Sequence, residues 1–210
     1  MKKRFSSNID YYSNIAGAYD NAVKFCNGNT GILFRIAKPF LPELSGNKLL
    51  DIGCGTGLCS KPFARQGFKI SGVDGAEGML RVFSQKGFAE FLLRVDLEKE
   101  DFPFANASFD AAISNGVFCL FSSLDRVIGE TGRVLKRGGI FCFTVEDVSK
   151  TEPRMIVRSG MDIYRHKPEY LASILSSAGF EIRAQKNYVD YHLLMDGAIV
   201  IFTAFLCRKK

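Results

Sequence analysis

Apolar runs of strand length alternate along the chain with amphipathic stretches of helical period. Lys48–Ile52 is a short apolar run ending in Gly53-Cys54-Gly55-Thr56-Gly57. A helix-like stretch follows to Arg65, and Gly67 suits its C-terminal cap. Residues 68–74 read as a second strand, 76–85 as a helix with Met79, Leu80 and Phe83 on one face, 88–94 as a third strand and 109–114 as a fourth. Leu124, Val127, Ile128, Thr131 and Leu135 recur at helical spacing, with Ser122 or Ser123 as the expected cap and Gly138-Gly139 as the expected stop. Residues 140–145 read as a fifth strand. The alternation predicts an α/β fold: a parallel sheet with helices on both faces, doubly wound by right-handed crossovers.

The last third changes character. Pro168 fits the first turn of a helix whose apolar face is Leu171, Ile174, Leu175 and Ala178, and Gly179 ends it. Residues 180–191 and 198–207 read as strands joined through Asp196-Gly197, a hairpin signal, so the last strand is expected to run antiparallel. Residues 5–41 read as two helices ahead of the first strand, with Tyr19, Val23, Phe34 and Ile36 available for burial. They form an N-terminal cap on a core at 45–207, within a single domain over 1–210.

Composition adds exclusions. At 47% hydrophobic and 24% charged residues the 210-residue chain is ordinary globular protein, and no apolar run reaches the ~20 residues of a membrane span. Met1-Lys2-Lys3-Arg4 is not followed by an apolar stretch, so a cytoplasmic protein is expected. The net charge of +6 hints at a polyanion partner, but Lys2, Lys3, Arg4, Arg208, Lys209 and Lys210 carry six of the 28 cations. The rest of the chain balances 22 cations against 22 anions, which disfavours nucleic acid. Six cysteines without a C-x-x-C pair, and only two histidines, leave no metal site in prospect. Cys119, Cys142 and Cys207 read as buried thiols.

Candidate chemistry centres on the glycine loop. Gly53, Gly55 and Gly57 let a strand-to-helix turn approach a ligand, and a helix starting near Gly57 would supply free N–H groups. A dinucleotide fingerprint would carry its last glycine where Leu58 stands, so a pyrophosphate site is disfavoured. Asp74 ends the second strand, where an acid can accept from both ribose hydroxyls, and Asp96 follows the third, where a carboxylate can accept from an adenine amino group.

These residues carry a family resemblance. Residues 49–64 resemble the first motif of class I S-adenosylmethionine-dependent methyltransferases, Gly72-Val73-Asp74 their ribose-binding acidic motif, and 109–121 their fourth-strand motif. Leu135-Lys136-Arg137-Gly138-Gly139 looks like their L-[KR]-P-G-G turn, with Arg137 in place of proline. Ala18-Tyr19-Asp20 resembles the A-x-x-Y-D helix of small-molecule members of the type 11 and 12 kind. Tyr164-Arg165-His166 and Ala178-Gly179-Phe180 resemble the tail of a bacterial family often fused to TPR repeats, none of which is present. The resemblance implies a Rossmann-like, seven-stranded, mostly parallel sheet with an antiparallel last strand.

It also implies S-adenosylmethionine as cofactor. Gly53, Gly55 and Gly57 would make room for its methionine part, and Asp51 would reach its amino group. Asp74 would take the ribose, with Gly75, Ala76 and Met79 beside the adenosine and Tyr19 from the cap. Asp96 and Leu97 would flank adenine, and Ser114, Asn115 and Gly116 would border the methyl path.

The expected activity is methyl transfer to a small-molecule acceptor by in-line displacement, in a monomer or homodimer. His166 is the candidate base, because it follows the fifth strand on the binding side. Tyr164 and Tyr11 are further catalytic candidates, and Tyr12, Phe118 and Glu146 could also face the acceptor. Ser114-Asn115-Gly116-Val117 is not the N-P-P-Y motif of base-amine methylation. Two alternatives stay open: a non-catalytic S-adenosylmethionine-binding or partner subunit, and a methyltransferase acting on RNA or protein.

Overall fold

The structure, a computed structural model, describes residues 7–25, 29–146, 155–158, 161–192 and 198–210. The basic triplet at 2–4, Cys26 and the Asp196-Gly197 turn lie outside them. Nine strands are described: β1 (Lys48–Ile52), β2 (Lys69–Asp74), β3 (Ala89–Arg94), β4 (Phe109–Ser114), β5 (Leu135–Glu146), β6 (Met155–Arg158), β7 (Met161–Tyr164), β8 (Phe180–His192) and β9 (Ala198–Lys209). Seven form one sheet in the order β3-β2-β1-β4-β5-β9-β8. The first five pair in parallel. β9 runs antiparallel to both β5 and β8. This is the doubly wound sheet the alternation predicts, with its reversed strand between two others.

Two apolar layers explain why the inner strands read as continuous hydrophobic runs. Leu50, Ile52, Phe141 and Phe143 face one layer, which takes in α5 (Asp125–Val134) and α6 (Pro168–Ser177) through Val127, Ile128, Leu171 and Leu175. Leu49, Ile70, Ile113 and Cys142 face the other, against α2 (Ile32–Ala37), Phe63 of α3 (Lys61–Ala64) and Phe83 of α4 (Glu77–Ser84). A short 3-10 helix, Lys38–Glu43, completes the N-terminal connection. In that cap Tyr19, Val23, Phe34 and Ile36 are only half-buried. Ala16, Ile32, Leu33 and Ala37 carry the burial instead.

Two local expectations are corrected. The helix after the glycine loop starts at Lys61, not near Gly57, because the chain continues in turns through Ser60. At the start of α5, Ser123 accepts the Asp125 N–H at 3.2 Å, the bond expected of a serine cap, while Leu124 between them donates its N–H to the Tyr170 hydroxyl at 2.7 Å. α5 stops at Val134 rather than at the glycines. Leu135 already pairs with Phe109, and Gly138 (φ +77°) lies in a register shift before Ile140 meets Ala111. β6 and β7 pair antiparallel as a separate two-stranded sheet, which the apolar pattern did not announce.

At the end of the sheet away from the loop, Asp110 is a buried staple. It accepts the Lys48 N–H at 2.9 Å, the Ser45 hydroxyl at 3.2 Å and the Lys136 ammonium at 2.8 Å. Burial alone would raise its carboxyl, but these bonds outweigh that and hold it below the usual carboxylate range. A depressed folded-state pKa means stability that is present above the unfolded value and lost as pH falls through the folded one. Asp110→Ala should cost about 1–2 kcal/mol in urea unfolding at neutral pH, because three hydrogen bonds to a charged carboxylate are lost while their donors can turn to water. The deficit should shrink below about pH 4.

Candidate active site

The site is built at the carboxyl ends of β1, β2 and β4, where the strand order reverses direction. The Val73 carbonyl accepts the N–H groups of both Gly53 (2.8 Å) and Cys54 (3.1 Å). Asp74 Oδ2 accepts the Gly55 N–H and Oδ1 the Ala76 N–H, both at 2.8 Å. The loop is thus folded back onto the end of β2, and its first three donors are engaged. A loop with its donors turned inward offers acceptors to a ligand, the reverse of a pyrophosphate cradle.

Each glycine has its own reason. Gly53 (φ +66°) could carry no Cβ, which would stand 2.4 Å from Val117. Gly55 (φ +50°) has open space and needs only its backbone conformation. At Gly57 (φ +79°) a Cβ would meet the Phe83 ring at 2.4 Å, so this glycine serves packing and does not line the cavity.

The roof is α1 (Asn8–Phe25). Ile9, Tyr12, Ala16 and Tyr19 are spaced three, four and three residues apart and share one face. Ile9 sits over Gly75, and Ala16 packs with Ala76 and Met79. Gly78 lets the α1 backbone approach α4, since a Cβ there would stand 2.3 Å from the Ser13 carbonyl. Asp20 fastens the roof by accepting the Thr56 hydroxyl and the Lys86 ammonium, both at 2.5 Å.

Between roof and loop lies a cavity of about 180 Å³. It brings together Tyr19, Gly53, Gly55, Asp74, Gly75, Ala76, Met79, Asp96, Leu97, Asn115 and Gly116 of the sequence-derived set. Burial raises the Asp74 carboxyl, while its two backbone bonds pull it down. Asp96 accepts the Glu98 N–H at 3.2 Å and faces Lys99 Nζ at 3.2 Å.

Other candidates fall elsewhere. Ser114 is buried and donates to the Ile52 carbonyl at 2.9 Å, tying β4 to β1. Asp51 lies under the loop, because it occupies an inner-facing position of a strand covered on both sides. Its Oδ2 is buried with no hydrogen-bond partner among the described residues. Burial raises this carboxyl from 3.8 to about 7, with the Asp74 charge adding to the rise and a Ser60 hydrogen bond opposing it.

The acceptor-side candidates are the ones most changed. His166 is buried away from the cavity wall, its Nε2 3.0 Å from the Phe118 carbonyl. Burial lowers its pKa, and backbone bonds to Phe118 and Phe121 work against that. The ring therefore braces the β4–α5 loop rather than facing a ligand. Tyr11 packs against the α5 side of the core, and it is Tyr12, at 5.2 Å edge-to-face from it, that lines the cavity. The α1 periodicity in the sequence already distinguishes the two. Tyr164 ends β7 and is not in the wall, although the Glu98 charge at the rim helps to raise its phenol after burial and Asp162. Glu146 is buried in an ion pair with Arg165 (2.8 Å), and Phe118 is core. Val117, Leu120 and Phe121 line the cavity without having been singled out for it. Burial drives the Cys54 thiol well above its usual range, which opposes formation of a thiolate there.

Residues 50–143 match the family described as Methyltransferase domain. The matched segment, just under half of the chain, is similar to a methyltransferase domain. The chain is 32% identical over 133 residues to a malonyl-[acyl-carrier protein] O-methyltransferase of Serratia marcescens, covering 63% of this chain and 50% of that protein. It is 33% identical over 150 residues to a demethylmenaquinone methyltransferase of Tropheryma whipplei, covering 68% and 59%. The chain thus spans about half the length of the curated relatives it matches. A solved S-adenosylmethionine-dependent methyltransferase of Methanosarcina mazei shares the fold, with a TM-score of 0.69 at 18% identity, covering 83% of this chain and 96% of that one. The cofactor that goes with this domain and fold is S-adenosylmethionine. The residues present fit it: acids and acceptors line the cavity, and a buried carboxylate oxygen behind the loop lacks a donor.

Gly53→Ala should weaken binding of S-adenosylhomocysteine at least tenfold in calorimetry. Gly55→Ala, which carries conformational strain but no clash, should weaken it less. For Asp51, ionisation in the folded protein costs stability, and that cost grows as pH rises from about 4 to about 7. Asp51→Asn should therefore raise Tm by several degrees at about pH 8 and leave it nearly unchanged at about pH 4.

Proposed function

We propose that the protein transfers a methyl group from S-adenosylmethionine to a small-molecule acceptor. The observation that carries this reading is the cavity of acids and acceptors beneath α1, which suits a nucleoside bearing positive charge. Asp74 has lone pairs beyond its two backbone bonds for ribose hydroxyls, and Asp96 suits an adenine amino group. Asp51 Oδ2 is the acceptor for an ammonium, directly or through water. The rings of Tyr12 and Tyr19, 6.3 Å apart on the roof, suit a neighbouring cation.

The cofactor, when bound, supplies a methyl group already activated on sulfonium. What remains for the chain is positioning. Gly53 and Val117 fix the loop spacing, and Thr144 holds the end of β4 by accepting the Gly116 N–H at 2.8 Å and donating to Asn115 Oδ1 at 3.3 Å. Alignment of nucleophile, methyl and sulfur draws on the ~7–11 kcal/mol that orientation can supply. The names of the two curated relatives, which act on malonyl-[acyl-carrier protein] and demethylmenaquinone, support an acceptor outside nucleic acid.

Calorimetry with S-adenosylmethionine and S-adenosylhomocysteine tests the reading. Both should bind, and Asp74→Ala should lose at least a hundredfold in affinity, about 3 kcal/mol for hydrogen bonds to a charged group. Absence of binding at millimolar ligand would overturn it.

A further inference from the structure

The cavity's titratable groups are unevenly placed. Asp74, Asp96 and Glu98 stand along the β2 and β3 ends, with Lys99 paired to Asp96. The β4–α5 loop faces them with Val117, Leu120 and Phe121, and Asn8 reaches across to the Leu120 carbonyl at 3.4 Å. Among the described residues this wall holds no carboxylate, imidazole, amine or thiol. His166, the nearest imidazole in sequence, is turned to the Phe118 carbonyl behind the wall. Tyr12 and Tyr19 face the cavity from the roof; burial first, then Tyr19, Cys119, Tyr11 and Asp74, raises the Tyr12 phenol well above its usual range.

Two constraints on the acceptor follow. With no base on this wall among the described residues, and with Asp74 held by two backbone N–H groups and Asp96 by Lys99 on the opposite one, a phenol, alcohol or protonated amine seated here would keep its proton and its lone pair would be unavailable. With no unpaired cation in the wall among the described residues, a carboxylate would enter a cavity already bearing Asp74, Asp96 and Glu98. We propose that the acceptor is an apolar aromatic molecule whose nucleophile is a neutral nitrogen, an aryl amine or a heteroaromatic ring nitrogen, seated on Val117, Leu120 and Phe121. This rests on the methyltransferase reading above. The nitrogen lone pair forms the bond to the methyl carbon as the carbon–sulfur bond breaks and its electron pair returns to sulfur. The positive charge passes to nitrogen, which is stabilised by the same acids. A nitrogen that carried hydrogen then releases a proton to water.

The test uses four probes that share an apolar body and differ in nucleophile: phenylimidazole, butylaniline, butylphenol and butylbenzoate. Calorimetry into the S-adenosylhomocysteine complex reads binding without turnover. Phenylimidazole and butylaniline should bind at least tenfold tighter than butylbenzoate, and Leu120→Asp should weaken them tenfold while S-adenosylhomocysteine still binds. With S-adenosylmethionine, mass spectrometry should find those two methylated on nitrogen, with kcat/KM level from about pH 7 to about pH 9. Preferred binding or methylation of the carboxylate or the phenol would overturn the proposal and leave the methyltransferase reading standing. So would failure of all four probes to bind a complex that S-adenosylhomocysteine does form. Failure of S-adenosylhomocysteine itself would overturn both.

Discussion

The Val73 carbonyl, shared between the N–H groups of Gly53 and Cys54, fixes where everything else in the site can stand. It anchors the loop after β1 to the end of β2. Asp74, the next residue, then captures the Gly55 N–H with one oxygen and the Ala76 N–H with the other. A single carboxylate thereby joins the loop to the start of α4 and still faces the cavity. The bonds are local, but they need two long-range parallel pairings, β1 with β2 and β1 with β4, to exist. The roof adds a further layer of dependence, because Asp20 reaches back to Thr56 within the same loop.

Charge is arranged against its own preference here. Burying Asp51 without a partner for one oxygen makes its ionisation costly, and placing Asp74 nearby increases the cost. An apolar residue at position 51 would pack the strand better, as Leu49 and Leu50 do on either face. Stability given up at a buried acid is the usual mark of a group kept for a ligand of opposite charge. The contrast with Asp110 is direct: that acid, also buried, has a full set of donors and stabilises the other end of the same sheet.

Much of the fold was legible because its signals are local. Continuous apolar runs announced the buried strands, and the glycine loop with Asp74 and Asp96 at strand ends marked the cofactor side. What escaped depended on tertiary partners. His166 looked like a base from its place after β5, yet the Phe118 carbonyl claims its Nε2. Ser114 follows the right strand but points to Ile52 rather than to the cavity. Two misses had usable signals. The spacing of Ile9, Tyr12, Ala16 and Tyr19 selects Tyr12 over Tyr11, and Ser159-Gly160 between two β-rich runs is a hairpin cue for β6 and β7.

The strand order has a consequence for synthesis. β8 touches the sheet only through β9, and β9 is made after it. Until β9 emerges, the edge of β5 with Phe141 and Phe143 beside it has no neighbour on that side. From Glu146 to Lys209 the ribosome needs on the order of 3–13 s at ordinary elongation rates. During that time β5 is an open, aromatic-rich template for a wrong strand, so the nascent chain is most exposed to mispairing just before its final strand closes the sheet.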